Sequence, residues 1–165
     1  MKNKTSNSIH SFSIEAIDGS VIDFSSFSGR KIMLVNVASE CGLTPQYQQL
    51  QDLYAQYKNK LSIVACPAND FGQQEPGTNQ QIQTFCSTKF NVSFPMTHKI
   101  SVKGNNMHNL YKFVTQKELN GFADSEVSWN FQKYVFDEAG QLCHIFTPQT
   151  EPLADEILSA LAIHP

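Results

Sequence analysis

The chain has 165 residues, enough for one well-packed domain and short for two. Its net charge is only −3, and its 12 Lys and Arg form no cluster, so a nucleic-acid surface or a polybasic membrane patch has little support. A 41% hydrophobic share with 12 Phe suits a globular α/β core and argues against disorder.

Residues 1–9 read as a flexible polar start that lacks the apolar core of a signal peptide, and no apolar run approaches bilayer length. The default address is therefore the cytosol. No repeat or linker divides the sequence, so residues 1–165 read as a single domain. Residues 10–27 predict an N-terminal β-hairpin: Ser11 to Ala16 alternates, Asp18-Gly19 turns the chain, and Val21 to Phe24 returns. Lys31 to Ala38 is a near-continuous apolar run, the pattern of a central strand buried on both faces.

A helix follows, with Thr44 placed to cap it, Pro45 at its first position and Tyr47, Leu50, Leu53, Tyr54 and Tyr57 at helical spacing. Leu61 to Cys66 is the next strand, completing a βαβ unit with parallel strands and a right-handed crossover. After a loop rich in Pro, Asn and Gly, Thr78 opens a second helix carrying Ile82, Phe85 and Cys86, and 107–117 predicts a third. Segments 131–137 and 141–146 pair antiparallel, and 153–162 is an amphipathic last helix. The order predicts an α/β, thioredoxin-like fold in which helices flank a central mixed sheet.

The four cysteines, Cys41, Cys66, Cys86 and Cys143, form no CxxC pair. In a reducing compartment such residues are free, catalytic or redox-active more often than bridged. Cys41 stands between the end of the buried strand and the start of the first helix. First-turn N–H groups lack intrahelical partners and carry partial positive charge, so a thiolate is favoured there. The bland alternative is a small buried apolar residue, the common fate of a free cysteine. Glu40 would oppose the thiolate if its carboxylate faced the sulfur.

Asn36-Val37-Ala38-Ser39-Glu40-Cys41-Gly42-Leu43-Thr44 resembles the NVASxCGxT segment around the reactive residue of glutathione peroxidases. Cys66 to Gly77 is similar to the family's FPCNQFGxQEPG, with Cys66, Ala68 and Asp70 as departures. Trp129-Asn130-Phe131-Gln132-Lys133-Tyr134 is similar to its WNFxKF. Three such motifs in order are a specific signal. The resemblance implies a catalytic tetrad of Cys41, Gln74, Trp129 and Asn130. The two carboxamides and the indole supply neutral N–H donors able to hold a thiolate, a peroxide and the departing oxygen. Alone, Trp129 would read as a core aromatic and Gln74 as a solvated loop residue.

Cys86 resembles the resolving cysteine of thioredoxin-dependent members, which implies thioredoxin rather than glutathione as the reductant. A helical cysteine lies out of disulfide reach of Cys41, so local unwinding over 78–90 is expected, and the polar run 78–81 suits it. Cys66 and Cys143 read as structural, and Ala68 removes the family's second-block thiol. Between Ile100 and Trp129 there is no long insertion of the type tied to tetramer formation in some members of that family, so the resemblance implies a monomer with an open site for hydrogen peroxide and organic hydroperoxides.

No cofactor is called for, and the five histidines (His10, His98, His108, His144, His164) lack metal-ligand spacing. His98 and His108 read as loop or surface residues rather than as the base of a cysteine hydrolase. A peroxide sensor that relays a disulfide to a partner protein would use the same chemistry.

Overall fold

The computed structural model describes residues 7–162. From Ile9 the described chain runs through a 3-10 turn (Ile9–Ser11), the hairpin of β1 (Ser13–Glu15) and β2 (Val21–Asp23), and a further 3-10 turn over Phe24–Phe27. The βαβ unit is β3 (Lys31–Val37), α1 (Gln46–Tyr57) and β4 (Leu61–Pro67). Three helices follow: α2 (Asn79–Phe90), α3 (Asn109–Thr115) and the short α4 (Lys117–Asn120). Strands β5 (Lys133–Phe136) and β6 (Leu142–Phe146) and helix α5 (Asp155–Ala160) complete the order.

The main sheet runs β4-β3-β5-β6, with β3 parallel to β4 and antiparallel to β5, the mixed sheet the sequence predicts. Helices flank it, and the hairpin forms a separate two-stranded sheet. Alternation along β3 divides the core in two. Ile32 and Leu34 join Phe24, Tyr111 and Phe136 on one face, while Met33, Val35 and Val37 meet Tyr47, Leu50 and Leu53 of α1 on the other. All of these are buried, and each large apolar side chain contributes about 1.5–3 kcal/mol.

Several boundaries differ from the expectation. Ile9, which falls in the expected flexible start, is buried and its N–H donates to the Gly140 carbonyl at 2.9 Å; residues 1–6 of that start lie outside the described residues. His164 also lies outside them. The hairpin is shorter than predicted because its outer ends wind into 3-10 turns. The polar run 78–81 is no frayed start, since Thr78 and Gln81 form a reciprocal capping box.

Two devices hold the periphery to the sheet. A strap, residues 95–100, lies along β4: the Ala65 N–H donates to the Pro95 carbonyl, and the Thr97 and Ile100 N–H groups donate to the Ala65 and Pro67 carbonyls. Lys133, a lysine in a buried strand, donates to Gln46 Oε1 (2.7 Å) and to the carbonyls of Pro148 (3.0 Å) and Thr150 (2.5 Å). Burial pushes its pKa down to about 7, against the pull of the Glu151 carboxylate. It ties the start of α1 to the loop before α5.

Candidate active site

Cys41 follows β3 directly, and local hydrogen bonds explain its pose. Beyond the buried Ala38 the chain turns out of the sheet. The Cys41 N–H donates to Thr44 Oγ1 (2.9 Å), whose hydroxyl donates in turn to the Ala38 carbonyl (2.8 Å). Thr44 is therefore not the helix cap. Residues 41–45 wind as successive i→i+3 turns, so Pro45 occupies the position before α1 and the Thr44 side chain is spent inside the turn. The Leu43 N–H points at Cys41 Sγ from 3.3 Å, a donor that favours negative charge on sulfur. Cys41 is 8% exposed, while Glu40 stands out in solvent.

The Trp129-Asn130 turn is hung from the central strand. Buried Asn36 donates to the Trp129 carbonyl (3.1 Å) through Nδ2 and accepts the Gln132 N–H (3.2 Å) at Oδ1; its own carbonyl accepts the Phe131 N–H at 2.6 Å. Phe131 holds φ at 71°, a left-handed conformation that a bulky residue keeps only when pinned. Its buried ring meets Tyr47 edge-on at 5.5 Å.

The loop after β4 brings Gln74 to this turn. Asn130 Nδ2 donates to Gln74 Oε1 at 3.1 Å, and the Trp129 ring lies 5.6 Å from Phe71. Gly72 has φ +64°, and a Cβ there would stand 3.2 Å from Trp129 Cη2 and 3.4 Å from Gln74 Cγ. Gly72→Ala is expected to cost about 1–2 kcal/mol for the left-handed backbone and to lower peroxide turnover severalfold by shifting both side chains. Thermal melts and a turnover assay check both effects.

The structure thus gathers Gln74, Trp129 and Asn130. Cys41 joins them through the turn, where the Glu40 N–H donates to the Gln74 carbonyl at 3.0 Å, and through a shared apolar cluster with Trp129. Among the described residues, no hydrogen bond links the Cys41 sulfur to Gln74, Trp129 or Asn130; its partner is Leu43 N–H. Cys86 lies on α2 in the same cluster, 2% exposed, its pKa pushed up to about 11 by burial. All four cysteines are free thiols. Cys66 is fully buried, with its pKa raised to about 12 by burial, and Cys143 donates to the Val135 carbonyl.

Residues that the sequence reading passed over are Asn36, which stands in an otherwise apolar strand, and Glu75. Glu75 is fully buried and accepts the Ser39 N–H at 2.9 Å. Burial raises its pKa, with Ser39 and Lys99 opposing and Glu40 reinforcing. A polar residue inside an otherwise apolar strand is the signal that could have found Asn36; nothing in the polar loop around Glu75 marks it. His108 is no idle loop residue either, for its Nδ1 accepts the Leu110 N–H and caps α3. No group of three or more His, Cys, Asp or Glu among the described residues could hold a metal ion, and no described helix is long and apolar enough to cross a membrane.

A thioredoxin-like sheet carrying free thiols is the architecture of thiol-based redox proteins. The profile of the glutathione peroxidase family matches residues 9–115. The chain is 41% identical over 158 residues to a probable phospholipid hydroperoxide glutathione peroxidase of Citrus sinensis, covering 94% of each. It is 39% identical to a hydroperoxy fatty acid reductase of Synechocystis, covering 95% of each. The crystal structure of a T. cruzi glutathione peroxidase superposes with a TM-score of 0.73 at 29% identity over 94% of both chains. A thioredoxin-family thiol:disulfide interchange protein of Chlorobium tepidum shares the fold at TM-score 0.60 and 14% identity. The chain belongs to the glutathione peroxidase family, and it is a hydroperoxide-reducing oxidoreductase.

Proposed function

We propose that Cys41 is the peroxide-reactive thiolate, with Gln74, Trp129 and Asn130 as the donor set around it. The observation that carries this reading is the Leu43 N–H aimed at the Cys41 sulfur, in a turn hydrogen-bonded to Gln74. The thiolate attacks one peroxide oxygen, the O–O bond breaks, and water or an alcohol leaves with a proton relayed through bound water. Cys41 becomes a sulfenic acid. Donors already in place stabilise charge on the departing oxygen without reorganising.

Cys86 resolves that sulfenic acid as a Cys41–Cys86 disulfide, and thioredoxin reduces the disulfide. Its buried position on α2 is what the resolving role requires to change: the segment must open first. Helix α2 suits such a step, since it presents only Ile82 and Cys86 as fully buried residues. The same reading takes the protein as a single-domain monomer working in a reducing compartment on hydrogen peroxide and organic hydroperoxides.

Cys86→Ser is expected to leave a persistent sulfenic acid on Cys41 after one equivalent of peroxide and to lose thioredoxin-supported turnover. Intact-mass spectrometry and a coupled assay check this. A Cys41–Cys66 bond, or faster recycling by glutathione than by thioredoxin, would reject the assignment.

A further inference from the structure

Four of the six buried side-chain atoms without a hydrogen-bond partner among the described residues belong to Ser39, Glu75, Tyr47 and Asn130. Ser39 belongs to the turn that carries Cys41, Glu75 and Tyr47 lie near Cys86, and Asn130 bonds to Gln74. Unmet polar groups are rare in folded interiors, and a cluster of them marks stored strain or chemistry. Glu75 is the carboxylate among them: Oε1 takes the Ser39 N–H of the Cys41 turn, while Oε2 is buried and unpartnered.

Charged and titratable groups face Glu75 from every side. Cys86 approaches from α2, Tyr47 from α1, Glu40 from the Cys41 turn and Lys99 from the strap. Lys99 donates its Nζ to the carbonyls of Glu75 (3.0 Å) and Gly77 (2.6 Å). Glu75 therefore lies within electrostatic reach of the Cys86 thiol and bonds directly to the turn that carries Cys41.

Building on the peroxidase reading above, we propose that Glu75 is the proton-transfer residue of the resolving step. As α2 opens and Cys86 meets the oxidised Cys41, the Glu75 carboxylate takes the thiol proton. The Cys86 sulfur attacks Cys41 Sγ, the S–O bond breaks, and the electron pair goes to oxygen. That oxygen takes the proton from Glu75 and leaves as water. Cys86 is oxidised, the sulfenic sulfur is reduced, and Glu75 returns to its starting form.

The proton acceptor is the ionised carboxylate, so resolution speeds up as pH rises and levels off once Glu75 is ionised. Burial raises the Glu75 pKa, which moves this inflection toward neutral pH. Uncatalysed ionisation of Cys86 would instead climb without levelling below about pH 9, the ordinary range of a thiol.

The test is rapid-mix oxidation with one equivalent of hydrogen peroxide from pH 5.5 to 8.5, trapping sulfenic acid and disulfide for mass analysis. Wild type is expected to show a plateau in disulfide formation. Glu75→Gln keeps an acceptor for the Ser39 N–H; it is expected to lose the plateau and to resolve about a hundredfold more slowly at its level. Matching profiles in the two proteins would overturn the proposal. So would an unbroken climb in wild type, which needs no variant to fold. Absence of any sulfenic acid on Cys41 would instead reject the peroxidase reading itself.

Discussion

Cys41→Ser will consume no hydroperoxide with thioredoxin or with glutathione, a loss of at least about 10³-fold, the scale of removing a catalytic nucleophile. A serine hydroxyl stays protonated at neutral pH, and oxygen cannot form the reversible sulfenic rung on which turnover depends. The substitution is also nearly silent in the fold. Serine Oγ still accepts the Leu43 N–H, and the Thr44 bonds to the Cys41 N–H and the Ala38 carbonyl involve no sulfur. The melting temperature should therefore move little, which separates lost chemistry from lost structure. Retained activity in a folded Cys41→Ser protein would sink the assignment.

The second large effect is expected at a residue that touches no substrate. Asn36→Leu keeps volume in the central strand but strips the Trp129 carbonyl and the Gln132 N–H of their partners inside the core. Each orphaned group costs about 1–3 kcal/mol, so the variant should lose roughly 2–6 kcal/mol. For a chain of this length that corresponds to about 2–4 °C per kcal/mol. Turnover should fall further than stability explains, because two of the bonds that hold the Trp129-Asn130 turn to the central strand come from that one side chain. Denaturant melts beside peroxide assays check both parts. A variant as stable and active as wild type would show that Phe131 and its backbone bond hold the turn unaided.

These two residues show what could be read from sequence. Strands β3 and β4 were legible because burial on both faces leaves a continuous apolar run, and Cys41 was legible from its place at the end of one. The start of α1 was misplaced because tight turns over 41–45 consume Thr44 locally, and a capping residue and a turn residue have the same composition. Asn36 and Glu75 carried no legible role since their partners are remote: Trp129 lies 93 positions from Asn36, and Ser39 lies 36 from Glu75. Side-chain bonds across such separations belong to the fold, not to any window of sequence. The grouping of Gln74 with Asn130 follows from resemblance alone, and the bond between them, across 56 positions, only from the fold.

The strap along β4 bears on how this protein can afford to move. A sheet edge with free N–H and C=O groups is a template for pairing with another chain. Here Ala65 and Pro67, on the flank next to α2, already spend those groups on residues 95–100. Helix α2 joins that strap through the short link 91–94 and through Asn79, whose Oδ1 accepts the Lys99 N–H at 2.8 Å, so the helix can loosen with the strap still bonded to β4 once that one bond breaks. In the proposed redox cycle, opening of α2 uncovers a helix and leaves Ala65 and Pro67 on the β4 edge covered by the strap, so oxidation need not expose that stretch to pairing with another chain.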